Sequence, residues 1–227
     1  MYKVINNLIE AERKATELFT EIENKGLIKS GKSEKELNIE IFNLAFELFG
    51  IKKYWHKRII RSGKNTLKPY AESPENLIIQ KDDILFIDIG PIFEEWEADL
   101  GRTYVLGNDV LKLKLKNDIE LAWNECKAFF DKKNEITGAE LYNYTVSTAK
   151  KYDWEFGGEI AGHIIGLFPH ERLEKEDKAN YVHPDNHQNM LSLDSDGNKR
   201  EWILEIHFVN KEKEIGGFFE QLLTRSN

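Results

Sequence analysis

Carboxylates set inside two pairs of apolar, strand-forming runs constrain this chain more than any other feature. The first pair is ILFIDIG at 84–90 and EWEADLGRTYVLG at 95–107; the second is EWILEIHFV at 201–209 and GGFFEQLL at 216–223. Asp88 shares a strand face with Ile84 and Phe86, which point inward, and a lone buried carboxylate is costly enough to force its protonation. If each pair folds as a hairpin, the first turn centres between Phe93 and Glu94, and Asp88 faces Asp99 across the ladder. The second turn centres between Glu212 and Lys213 and sets Glu205 against Glu220. Like charges directly opposite one another in a sheet repel unless something positive lies between them. A cation is the natural remedy, and oxygen donors with one imidazole suit divalent manganese, cobalt, iron or zinc. The imidazole candidate is His163, in the glycine-flanked run GHIIG.

The elements around these runs occur in the same order twice. Apolar positions at helical spacing predict a helix over about 3–25, stopped near Gly26. Ser33 with Glu36 three residues on predicts a capped helix over about 33–49. YWHKRIIRSG at 54–63 reads as a strand, followed by a turn-rich stretch to Asn76 and the first carboxylate hairpin. After Gly107 a helix is expected over about 110–133, then one opened by Thr137 and Glu140 and running to about 151. A strand at about 159–167 and the second hairpin complete the half, while the polar stretch 171–200 reads as a long loop. Helix, helix, strand, hairpin thus occurs twice, which predicts an α/β (α+β) domain over 1–227 built of two halves, 1–108 and 109–227.

The chain's 227 residues carry a net charge of −8, which argues against a nucleic-acid partner because phosphate binding needs a basic face. One cysteine, Cys126, excludes a disulfide framework. Neither a signal peptide nor an apolar run long enough to span a membrane is visible, so a soluble, cytoplasmic protein with no membrane partner is expected.

Taken together, FIDIG with EADLGRTY, GHIIGLFPHE and FFEQLL resemble the pita-bread metallopeptidases: methionine aminopeptidase, aminopeptidase P, prolidase and their relatives. The likeness covers nearly the whole chain, and its first motifs stand nearest the Xaa-Pro branch. It implies a pseudo-two-fold fold with a curved antiparallel sheet holding two divalent metal ions. By that resemblance Asp88 binds one ion, Asp99 and Glu220 bridge both, and His163 with Glu205 completes the second. It further implies that His170 contacts the substrate amide and that Glu205 shuttles a proton to the leaving amine.

Several positions depart from the family pattern. Relatives carry a histidine where GKNTLKP leads here to Tyr70, and a phenol donates a hydrogen bond but does not exchange protons near pH 7 as imidazole does. His207, two residues beyond Glu205 and on the same strand face, and His56, before the Tyr70 loop, are the residues that can compensate. The helix at 3–25 leaves no room for the N-terminal domain many relatives carry, so a homodimer is neither required nor excluded. The expected function is a dinuclear metal-dependent aminopeptidase acting on short peptides, Xaa-Pro sequences among them. The alternatives are a hydrolase of a non-peptide C–N bond and a non-catalytic binding module that retains the fold.

Overall fold

Three of the four helices begin where a side chain caps them. The computed structural model describes residues 2–70, 73–169, 178–194 and 197–225. Helix α1 (Tyr2–Asn24) buries Leu8, Ala11, Ala15, Leu18, Phe19 and Ile22 along one stripe. Helix α2 (Glu34–Phe49) opens on a capping box in which Ser33 and Glu36 satisfy each other's backbone N–H groups, and it ends at Gly50 in the left-handed conformation. Asp109 caps α3 (Val110–Asp131), and Thr137 with Glu140 forms a second capping box at α4 (Gly138–Lys151).

The strands are β1 (Ile59–Ser62), β2 (Ile84–Ile89), β3 (Ile92–Phe93), β4 (Trp96–Glu97), β5 (Leu100–Val105), β6 (Glu155–Phe156), β7 (Ile164–Ile165), β8 (Glu201–Asn210) and β9 (Ile215–Leu222). Seven of them form one antiparallel sheet in the order β1-β2-β5-β9-β8-β6, with β7 also pairing with β8. The order reads alike from both edges: each half contributes two helices, an edge strand and a long hairpin, and the halves meet at β5 and β9. Each half also has its own apolar cluster. One joins α1 and α2 to Leu85, Ile87 and Ile89; the other joins α3 and α4 to Trp202, Leu204, Ile206 and Phe208. The helices therefore cover one sheet face, and the alternate residues Phe86, Asp88, Glu205 and His207 belong to the other. All six residues of β2 are buried, so that strand shows no alternation of polarity.

Two expected strands are shorter than the apolar runs that suggested them. Of 54–63 only Ile59–Ser62 pairs as a strand, and of 159–167 only Ile164–Ile165 does, beside an isolated bridge between His163 and Tyr181. The first hairpin also has a different register. Its tip is a two-residue turn, Glu94–Glu95, with Glu94 at φ 60°, and this pairs Asp88 with Gly101 instead of Asp99. The second hairpin has the expected register, Glu205 opposite Glu220. Among the described residues no helix is long and apolar enough to cross a membrane.

Candidate metal centre

The paired residues build a row of carboxylates across the middle of the sheet. Asp88 on β2 lies beside Gly101 on β5, Gly101 beside Glu220 on β9, and Glu220 beside Glu205 on β8. Directly paired residues project to the same face, so three acids converge. Gly101 leaves the room they need: a Cβ there would stand 2.5 Å from the Phe218 ring and 3.1 Å from the Glu220 Cβ. Asp99, two residues before Gly101, adds a fourth acid. None of the four is more than 4% exposed.

Two imidazoles meet this row at Asp99. His163 Nε2 lies 3.2 Å from Asp99 Oδ2 and 3.8 Å from Glu220 Oε1. His56 Nε2 lies 3.1 Å from Asp99 Oδ1 and 3.5 Å from Asp88 Oδ1. Each ring uses its other nitrogen in the same way: Nδ1–H of His56 donates to the Lys57 carbonyl at 2.7 Å, and Nδ1–H of His163 to the Ile164 carbonyl at 2.8 Å. The His163 ring is placed by backbone hydrogen bonds on both sides, from Val182 N–H to the Gly162 carbonyl and from Ile203 N–H to the His163 carbonyl. His56 sits in the irregular segment ahead of β1, which is tied to the first hairpin where Trp55 N–H donates to the Gly90 carbonyl.

Tyr70 arrives on a loop fixed from beneath. Buried Glu34 accepts from Ser62 N–H and from the Asn65 amide, while the Arg61 guanidinium donates to the carbonyls of Lys68 and Pro69. The Tyr70 hydroxyl then donates to Glu205 Oε2 at 2.8 Å. Six acidic or imidazole side chains and Tyr70 line a cavity of about 240 Å³, whose other walls include Trp55, Ile160 and Tyr181.

Burial and crowding shift these groups strongly. Burial pushes Asp88 and Glu220 well above the usual carboxylate range and lifts Glu205 to about 7. Asp99 is held low, because His56 and His163 outweigh its burial. Burial works against charge on both histidines too, but Asp99 and Asp88 bring His56 up to about 9, and Asp99 and Glu220 raise His163 well above its ordinary value. Burial, with the Glu205 charge, raises the Tyr70 hydroxyl and keeps it a donor.

The donor set suits divalent cations. Asp88 Oδ1, Glu205 Oε1 and Glu220 Oε2 are buried and have no hydrogen-bond partner, which is an expensive arrangement for carboxylates unless a positive group meets them. His56, Asp88 and Asp99 form one group of closely spaced ligand atoms, and Asp99, His163 and Glu220 form another, sharing Asp99.

Of the residues expected from sequence, Asp88, Asp99, His163, Glu205, Glu220 and Tyr70 are brought together. His207 shares their sheet face but does not line the cavity. It lies deeper along β8, where Nε2–H donates to the Thr66 carbonyl at 2.8 Å and the ring contacts Phe86 and Phe218. The Thr66 carbonyl takes its Nε2 proton there, two residues along β8 from Glu205, while Nδ1 is buried without a hydrogen-bond partner. His170 lies outside the described residues. His56, weighed in the sequence only as a compensating imidazole, proves to touch two of the acids; its spacing of 43 residues from Asp99 gave no local signal.

Xaa-Pro dipeptidase of Pyrococcus horikoshii is 29% identical over 169 residues, 71% of this chain and 47% of that protein. This chain therefore spans about half the length of that relative. The X-Pro aminopeptidase structure from Thermotoga maritima superposes with a TM-score of 0.74 at 19% identity, covering 98% of this chain and 62% of that one. The methionine aminopeptidase structure from the same organism gives 0.71 at 14% identity, covering 98% and 96%. The sequence profile of metallopeptidase family M24 matches residues 6–192, so the chain belongs to that family, and its duplicated α/β architecture is the pita-bread fold.

Proposed function

We propose that this chain is a cytoplasmic dinuclear metal-dependent aminopeptidase that removes the N-terminal residue from short peptides, Xaa-Pro peptides among them, with 1–227 acting as one catalytic domain. The observation that carries this reading is the set of buried carboxylate oxygens on Asp88, Glu205 and Glu220 that accept no hydrogen bond, gathered with imidazoles in one cavity. Asp88, Asp99, His163, Glu205 and Glu220 would hold the two cations. Bound there, divalent ions supply Lewis acidity for a peptide carbonyl and bring a water's pKa near neutrality. Glu205 is the group placed to pass a proton to the leaving amine, and the Tyr70 hydroxyl fixes its orientation. His170 is the proposed contact to the scissile amide. His207 positions β8 through Thr66 without touching substrate.

The cavity's size supports a short substrate: about 240 Å³ is smaller than the roughly 300–1,000 Å³ of pockets for drug-sized ligands. Its Trp55, Ile160 and Tyr181 walls suit an apolar side chain or a prolyl ring. The test is protein purified without chelator, assayed for bound metal and for hydrolysis of Xaa-Pro dipeptides, proline-containing tripeptides and methionyl peptides with manganese, cobalt or zinc added. Metal-dependent release of the first residue supports the reading, and Asp99→Asn should lose both metal and turnover. Protein that binds none of the three metals, or binds them and cleaves no peptide, overturns it in favour of a binding module or another C–N hydrolase.

A further inference from the structure

His56 stands where the family-like ligand set has no member. The resemblance implies five protein ligands with a single imidazole, His163, whereas two imidazoles flank Asp99 here, one at each carboxylate oxygen. We propose that His56 Nε2 is a sixth protein ligand, so that each of the two cations takes one imidazole and the two share Asp99. This rests on the reading that the cluster holds metal.

Three observations support it. The first is spacing. Donors about 2.0–2.2 Å from a common ion stand about 2.8–3.1 Å apart at right angles and about 3.3–3.6 Å apart at the tetrahedral angle. His56 Nε2 is 3.1 Å from Asp99 Oδ1 and 3.5 Å from Asp88 Oδ1, within these limits. On the other side, the 3.8 Å between His163 Nε2 and Glu220 Oε1 is looser.

The second is orientation. A metal-bound histidine usually donates its remaining N–H to a carbonyl or carboxylate, which fixes the tautomer and leaves the other nitrogen's lone pair for the ion. His56 and His163 both do so, each to the carbonyl of the next residue. The ring of His56 also packs edge-on against Trp55, at 4.6 Å between centroids.

The third is space cleared for the ring. Gly90 follows Ile89 at the end of β2, just as Asp99 precedes Leu100 at the start of β5. A Cβ on Gly90 would stand 2.3 Å from Trp55 Nε1 and 2.4 Å from His56 Cδ2. A side chain there would force the Trp55 and His56 rings to move. A second imidazole shifts a carboxylate site away from manganese and toward zinc, cobalt or iron.

The experiment is proton NMR of the cobalt-substituted protein, in which each ligating imidazole with a protected Nδ1–H gives a strongly shifted, exchangeable signal. Two such signals are expected in the wild type, and one in His56→Phe, which keeps an aromatic ring against Trp55. Calorimetric titration of that variant should show the second cobalt bound more weakly by more than about 10-fold. His56→Gln is expected to show the same loss should the phenylalanine variant fail to fold. One signal in the wild type, or two persisting in both variants, overturns the His56 assignment and leaves the metal centre standing. A wild-type protein that retains no cobalt and shows no shifted signal overturns both.

Discussion

Removing metal should make this protein's stability fall as pH rises above 6.5, against the usual behaviour of a neutral-pH fold. His56 goes from its ordinary 6.5 to about 9 in the folded chain, chiefly because Asp99 and Asp88 outweigh its burial. Its charge stabilises the fold in full below pH 6.5. Between 6.5 and 9 the unfolded chain has lost the proton that the folded chain still holds, so stability falls across that window. The shift corresponds to about 3 kcal/mol, trimmed to about 2 kcal/mol because a fifth of the side chain is exposed.

The other groups either add to this slope or act outside the window. His163 is raised and works in the same sense. Asp88, Glu205 and Glu220 are raised acids, so deprotonating them also costs stability as pH rises; for Glu205 the window runs from 4.5 to about 7. His207 and His183 are lowered, and stabilise the fold as pH rises only up to 6.5. Asp99, held low, acts below 3.8. With the chelated protein, a loss of about 2–4 kcal/mol between pH 6.5 and 9 is expected, or a Tm lower by about 5–10 °C for a chain of this size. Saturating metal should reverse the trend, since deprotonated ligands bind better, and the gap between loaded and chelated Tm should widen with pH. Urea denaturation at four pH values, with EDTA or excess manganese, measures both. A chelated stability that is flat or rising over this window refutes the reasoning.

Tyr70→Phe removes the hydrogen bond to Glu205 Oε2, an interaction with a charged group of about 1.5–3 kcal/mol. It should lower kcat by roughly 10-fold or more and move the acid limb of the pH–rate profile upward, because the Tyr70 hydrogen bond holds the Glu205 pKa down; an unchanged profile would remove Tyr70 from the machinery. Gly101→Ala places a Cβ 2.5 Å from the Phe218 ring, which is stacked on Phe86, so the ring must shift at a cost of about 1–3 kcal/mol. Denaturation should show that loss, and metal titration should show weaker binding through Glu220.

Where local chemistry decides structure, the sequence was legible. Ser33 with Glu36, and Thr137 with Glu140, mark their helix starts, and both boxes form. The second hairpin could be registered because its polar turn is centred between two glutamates that do oppose each other. The first could not. Glu94 takes a positive φ without being glycine or asparagine, so nothing in its residue type announces the two-residue turn that moves Asp88 from Asp99 to Gly101. Apolar runs overstated the strands at 54–63 and 159–167 because they report burial and not pairing: Ala161 is fully buried yet lies outside any ladder. For His207, alternation identified the right face of β8, but a face does not specify depth, and the Thr66 carbonyl holds the ring away from the acids.

The carboxylate row has a further property that follows from duplication. It crosses the seam between β5 and β9, so Asp88, Asp99 and His56 come from one half and His163, Glu205 and Glu220 from the other. His56 Nε2 faces Asp99 and Asp88 of its own half, whereas His163 Nε2 faces Glu220 of its own half and Asp99 across the seam. Docking the halves brings Asp99 between the two rings and Glu220 beside Gly101, and at the same moment concentrates four negative groups in one cavity. Apolar packing of the two helix-covered clusters must therefore outweigh this repulsion in the chelated protein, and proton uptake by the raised acids and histidines relieves it. Cation binding relieves it without protons. That links metal affinity, pH dependence and the closeness of the two halves through one set of charges.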